Sequence, residues 1–151
     1  TAQEMLEAVL KACENADGLV MAAAVADFRV KQVAKHKLKK QDGIPQIELV
    51  AAPDVLGTVA QARGSLKRLK AVVGFAAESR DLVENAVAKL SSKKLDFIAA
   101  NDISASDAGF AVDTNRITLL FADGRRESLP LMGKDEIAAA IFERVADILE
   151  I

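Results

Sequence analysis

Apolar residues recur along this chain in two rhythms, and their alternation predicts its elements. Met5, Leu6, Val9, Ala12 and Ala16 share one helical face. The opening Thr1-Ala-Gln-Glu4 has the residues of a capping box, in which Thr and Glu each satisfy a free backbone N–H. A helix to about residue 15 follows, broken at Asp17-Gly18. Residues 19–26 form an unbroken apolar run that predicts a strand buried on both faces. Residues 29–44 show little periodicity and predict a long, mobile loop, and 46–50 a short strand. Pro53 stands where a first-turn proline starts a helix, here one running to about Arg63.

The alternation then repeats. Residues 70–76 read as a strand and 81–92 as a helix with Leu82, Ala86 and Leu90 inward. Residues 95–100 read as another strand, and 116–121, Asp123-Gly124 and 126–129 as a hairpin. A last helix from about Lys134 carries the stripe Ile137, Ile141, Val145 and Ile148. This order predicts an α/β domain: a three-layer, open, Rossmann-like and mostly parallel sheet ending in an antiparallel hairpin. Ligands of such sheets bind beyond the carboxyl ends of the strands. Here those ends are Ala26-Asp27, Ala77-Glu78 and Ala100-Asn101-Asp102.

Composition agrees with small, closely packed strands. The 151 residues are 51% hydrophobic without Trp or Tyr, so Ala, Val, Ile and Leu must build the interior, with Phe as the aromatic. No apolar run reaches the roughly 18–20 residues of a membrane span. A lone Cys13 permits no internal disulfide, and a cytoplasmic setting is expected.

Charge is unevenly spread. Residues 29–40 hold six Lys or Arg and no acid, leaving 14 basic against 22 acidic residues, a net charge of −8, elsewhere. A positive arm on an acidic body suits a local polyanion such as a nucleoside triphosphate better than a nucleic-acid surface. Missing Trp and Tyr also argue against base stacking.

Individual residues leave alternatives open. Asp27 could hold a cation or ribose hydroxyls, or serve as a turn acid. Lys37, Lys39 and Lys40 could fold over a phosphate, or form a solvated charge run. Pro53, Asp54, Val55 and Leu56 open a helix whose free N–H groups would take an anion, or simply start it well. Lys89 and Lys93, spaced i, i+4, share a face near a helix end, where cations are favourable for the helix alone. His36, the single histidine, reads as a surface residue, and Cys13 lacks a histidine partner for nucleophilic catalysis. Neither a GxGxxG nor a GxxxxGK[ST] pattern occurs.

Five segments in register carry a resemblance: AAAVAD (22–27), KLKK (37–40), PDVL (53–56), VVGFAAE (72–78) and KLDFIAAN (94–101). Phe110-x-x-Asp113-x-Asn115 continues it. Together they resemble phosphopantothenoylcysteine synthetase, the ligase half of the bacterial bifunctional coenzyme A biosynthesis flavoprotein, over nearly all 151 residues. The resemblance implies that CTP, with Mg²⁺, activates 4′-phosphopantothenate as an acyl-cytidylate, which the amine of cysteine then converts to an amide. It implies nucleotide contacts from Met21, Ala22, Ala23, Asp27, Lys37, Pro53, Asp54, Val55, Leu56, Phe75, Lys89 and Lys93. Of these, Lys37 is the catalytic candidate, closing over the reacting acyl phosphate. A homodimer is implied, and FMN only where a parent chain carries a decarboxylase domain; neither nucleic acid nor membrane is an expected partner.

Two departures accompany it. Ala52 stands where the family commonly has Asn, and the family's first strand and glycine-rich turn are absent from the single domain over 1–151. A non-catalytic nucleotide-binding α/β module therefore stays open beside the ligase.

Overall fold

A computed structural model describes residues 1–78, 81–102 and 113–151. In chain order the elements are α1 (Ala2–Cys13), β1 (Gly18–Met21), β2 (Phe28–Val30), β3 (Leu49–Ala51), α2 (Val55–Ala62) and β4 (Ala71–Glu78). There follow α3 (Leu82–Ser92), β5 (Phe97–Asp102), β6 (Thr114–Asn115), β7 (Ile117–Phe121), β8 (Arg126–Ser128), β9 (Met132–Gly133) and α4 (Lys134–Leu149). The main sheet has the order β1-β4-β5-β7-β8. β1, β4 and β5 run parallel, while β7 and β8 complete the sheet as an antiparallel hairpin.

Alternation along the strands divides the interior. Val72, Ala76, Ile98, Ala100 and Leu120 pack beneath α1, α2 and α3. Val73, Phe97, Ala99, Ile117 and Leu119 face the other way, onto Ile137, Ile141 and Val145 of α4. Helices on both faces explain why the central strands read as continuous apolar runs. The expected three layers are present. α1 is capped as its sequence requires: Glu4 N donates to Thr1 Oγ1 at 3.3 Å, and the Glu4 carboxylate returns to the Thr1 backbone.

Three expectations need correction. The run 19–26 is a strand only to Met21, where the ladder with β4 ends opposite Gly74. Beyond it, Ala22, Ala23, Ala24 and Ala26 are exposed. The basic stretch is not wholly loop, since β2 pairs antiparallel with β3 in a separate two-stranded ribbon, with a 3-10 turn at Lys40–Asp42. Pro53 precedes the N-cap of α2 rather than occupying its first turn; Asp54 is the cap. A second small sheet pairs β6 with β9, strands of two residues each, too short to show a period in the sequence. Phe110 lies outside the described residues.

Candidate functional site

A cavity of about 720 Å³ opens at the carboxyl ends of β1 and β4. Its walls come from the chain leaving β1, the segment entering α2, and the last turns of α3. Local sequence accounts for each wall. The small side chains of Ala23, Ala24 and Ala26 leave the backbone approachable, and Asp27 adds a carboxylate. Ala52 N donates to Asp27 O at 2.8 Å, so both roots of the β2–β3 ribbon sit on the cavity rim. The basic segment is thereby tethered at the mouth.

The second wall is the start of α2. Asp54 Oδ1 accepts from Gly57 N at 2.9 Å, and Thr58 Oγ1 donates to Asp54 O at 2.8 Å. A Cβ on Gly57 would collide with the Asp54 carboxylate, so glycine permits this close cap. Gly74 acts similarly on the floor: a Cβ there would meet Leu95 Cδ1 at 2.7 Å and Leu56 Cδ1 at 3.4 Å. Both leucines line the cavity.

The third wall is a stripe on α3 and its C-cap, with Ala88 and Ser92 beside Lys89 and Lys93. Lys93 Nζ donates to Asp54 Oδ2, joining the second and third walls by an ion pair. Burial pushes the Asp54 carboxyl up. The hydrogen bonds from Lys93 and the Gly57 amide, with the lysine's charge, outweigh this and hold it below its ordinary value. The cavity thus presents two carboxylates, two ammonium groups and a helix start to whatever enters.

Of the residues expected at a nucleotide site, Met21, Ala23, Asp27, Pro53, Asp54, Val55, Leu56, Phe75, Lys89 and Lys93 all line this one cavity. Phe75 also packs against the apolar cluster under α4. Ala22 and Lys37 are not on the lining; both are exposed, Lys37 on the segment between β2 and β3. His36 is exposed as well. Cys13 is buried in the core, where burial raises its thiol pKa. Sequence reasoning missed Ala88, Ser92, Leu95 and Ile98 as lining residues. Ala88 and Ser92 could have been found, because they flank Lys89 and Lys93 on the same helical stripe. The Asp54–Lys93 pair spans 39 positions and has no local signal.

Among the described residues, no group of three or more His, Cys, Asp or Glu could hold a metal ion. No helix there is long and apolar enough to cross a membrane.

Fold and cavity define a class: an open α/β domain with a ligand cavity at the carboxyl ends of its parallel strands. Residues 1–149 match the family described as DNA/pantothenate metabolism flavoprotein C-terminal domain, and the chain belongs to that family. It is similar to the coenzyme A biosynthesis bifunctional protein CoaBC of Bacillus subtilis, 42% identical over 146 residues. That match covers 97% of this chain and 35% of the relative. The protein of the same name in Mycobacterium tuberculosis is 42% identical over 156 residues, covering 99% of this chain and 37% of its own length. The chain therefore spans little more than a third of these relatives. Among solved structures, the C-terminal domain of a CoaBC protein superposes with a TM-score of 0.76 at 35% identity, over 99% of this chain and 63% of that one. A DNA/pantothenate metabolism flavoprotein from Streptococcus pneumoniae shares the fold, with a TM-score of 0.74 at 18% identity over 96% of this chain and 69% of that one.

Proposed function

We propose that this chain is the nucleotide-binding part of a phosphopantothenate–cysteine ligase acting in coenzyme A biosynthesis. One observation carries the reading: ten residues expected at a CTP site, drawn from four separate stretches of sequence, line a single cavity at the sheet rim. Family membership and the CoaBC relatives support the pathway.

In this reading the 4′-phosphopantothenate carboxylate attacks the α-phosphorus of CTP. The bond to the β-phosphate breaks, and pyrophosphate leaves. The cysteine amine then attacks the acyl carbon, expelling CMP and losing a proton to give the amide. The protein supplies no nucleophile; its work is positioning and charge neutralisation. Lys89 and Lys93 meet the triphosphate, the start of α2 offers its free N–H groups, and Asp27 meets the ribose or the Mg²⁺ that arrives with the nucleotide. The ribbon rooted at Asp27 and Ala52 carries Lys37 toward the developing phosphate charge. A homodimer accords with the outer edge of β8 and the exposed apolar side chains of the ribbon.

The test is pyrophosphate release by the full-length protein, with CTP and 4′-phosphopantothenate supplied singly and together, with and without cysteine. Release that requires both substrates, with amide formed once cysteine is added, is expected. Nucleotide binding without release would favour the non-catalytic module, and release independent of 4′-phosphopantothenate would refute the ligase.

A further inference from the structure

Both ends of α2 are tied to one short turn. At its start Asp54 pairs with Lys93, the C-cap residue of α3. At its end stands Arg63, the C-cap of α2. Arg63 Nη1 donates to Lys94 O at 2.5 Å, while Nη2 donates to Lys70 O and Asp96 Oδ2, both at 2.7 Å. Asp96 Oδ2 accepts in addition from Val72 N at 2.7 Å, which fixes that carboxylate to β4. The side chains of Arg63 and Asp96 are 23% and 29% exposed, so these charge-assisted bonds are partly sheltered from water. A planar guanidinium gripping three acceptors sets direction as well as distance.

The turn needs such a hold. Lys94 has φ 48°, a left-handed backbone that a residue with a Cβ adopts reluctantly. Its carbonyl is the one Arg63 grips, and its neighbour is Lys93. Arg63 does not line the cavity, whereas Lys93 and Leu95, on either side of the gripped carbonyl, do.

We propose that Arg63 is a positioning residue for the nucleotide. By clamping the 93–96 turn to the end of α2, it fixes where the Lys93 ammonium stands on the cavity wall and so sets affinity for an anionic triphosphate. The inference rests on reading the cavity as the CTP site. It assigns Arg63 no contact with substrate.

Magnesium–CTP is titrated calorimetrically into the full-length protein and its R63Q, R63K, K93Q and R63Q/K93Q forms, with the folded fraction checked by circular dichroism. K93Q removes a charge-assisted phosphate contact and should weaken binding about 10- to 100-fold. R63Q should weaken it roughly 10-fold through misplacement, with kcat at saturating CTP nearly unchanged. R63K, able to reach one acceptor, should recover part of the loss. The double variant should bind no worse than K93Q, because Arg63 acts through that lysine. Losses that multiply in the double variant would overturn the proposal, since Arg63 would then act independently. R63Q binding like the wild type beside a weakened K93Q would sink the inference and leave the CTP site standing. K93Q binding like the wild type would remove both. Should R63Q fail to fold, R63K and R63K/K93Q provide the same comparison.

Discussion

β5 and the β2–β3 ribbon are both built from apolar strand residues, yet they meet opposite fates. Phe97, Ile98, Ala99 and Ala100 are wholly buried, with α3 over one face of the sheet and α4 over the other. Phe28 and Leu49 are 65% and 59% exposed, and Ile44, between the ribbon strands, 97%. Apolar strand residues do not by themselves make a core; helices covering both faces do. The ribbon is held by its own ladder, by the Lys31–Glu48 ion pair, and by the bond from Ala52 N to Asp27 O. Two paired strands alone are marginal in water, so the ribbon depends on its roots at the cavity rim. Stability is concentrated in the sheet, and the ribbon carries position and charge.

The sharpest test of this contrast pairs two identical truncations. Phe97→Ala removes a ring packed 5.1 Å from that of Phe121 and should lower stability by about 3–5 kcal/mol in denaturant titrations. Phe28→Ala in the same assay should change it by no more than about 0.5 kcal/mol. Comparable losses would show that the ribbon is part of the core.

Gly74→Ala comes next, because it tests how closely the cavity floor is packed. The new methyl would press on Leu95, which is 3% exposed, and should cost about 1–3 kcal/mol by thermal or chemical unfolding. A neutral result would mean that Leu95 yields freely.

Asp54→Ala removes the α2 cap and should cost about 1 kcal/mol. Asp54→Asn keeps a capping acceptor and removes the charge. Because the folded carboxyl titrates below its ordinary value, its contribution is present above the unfolded value and is lost as pH falls through the folded one. Wild type and the Asn variant should therefore differ by a constant amount above about pH 5 and converge in acid. The side chain is 55% exposed, so solvent screening holds that difference under about 1 kcal/mol. A gap that persists at low pH would assign the effect to shape instead of charge. The smallest effect belongs to Lys31→Ala on the ribbon, within about 1 kcal/mol and shrinking as salt is added.

These contrasts mark what the sequence made legible. Elements with a buried stripe or a local cap announced themselves, as with Ile137, Ile141 and Val145 on α4 and the Thr1–Glu4 capping box. Where burial ends, the signal ends with it. Residues 22–26 look as apolar as a strand yet leave the sheet, because alanine composition cannot reveal that the β1 ladder stops at Met21. Val30 and Leu49 pair in the ribbon although the intervening charge run masks any period. The cavity was legible as a rim from the strand ends, while Lys89 and Lys93 were expected there from the family resemblance and not from their spacing. Its closure by Asp54–Lys93 and its bracing by Arg63 were not, because both depend on contacts between residues far apart in the chain.

A crystal structure of the full-length protein with CTP and magnesium tests the central claim most directly. The triphosphate should lie against Lys89, Lys93 and the first turn of α2, with the ribose toward Asp27. Nucleotide bound elsewhere, with this cavity left to solvent, would contradict it.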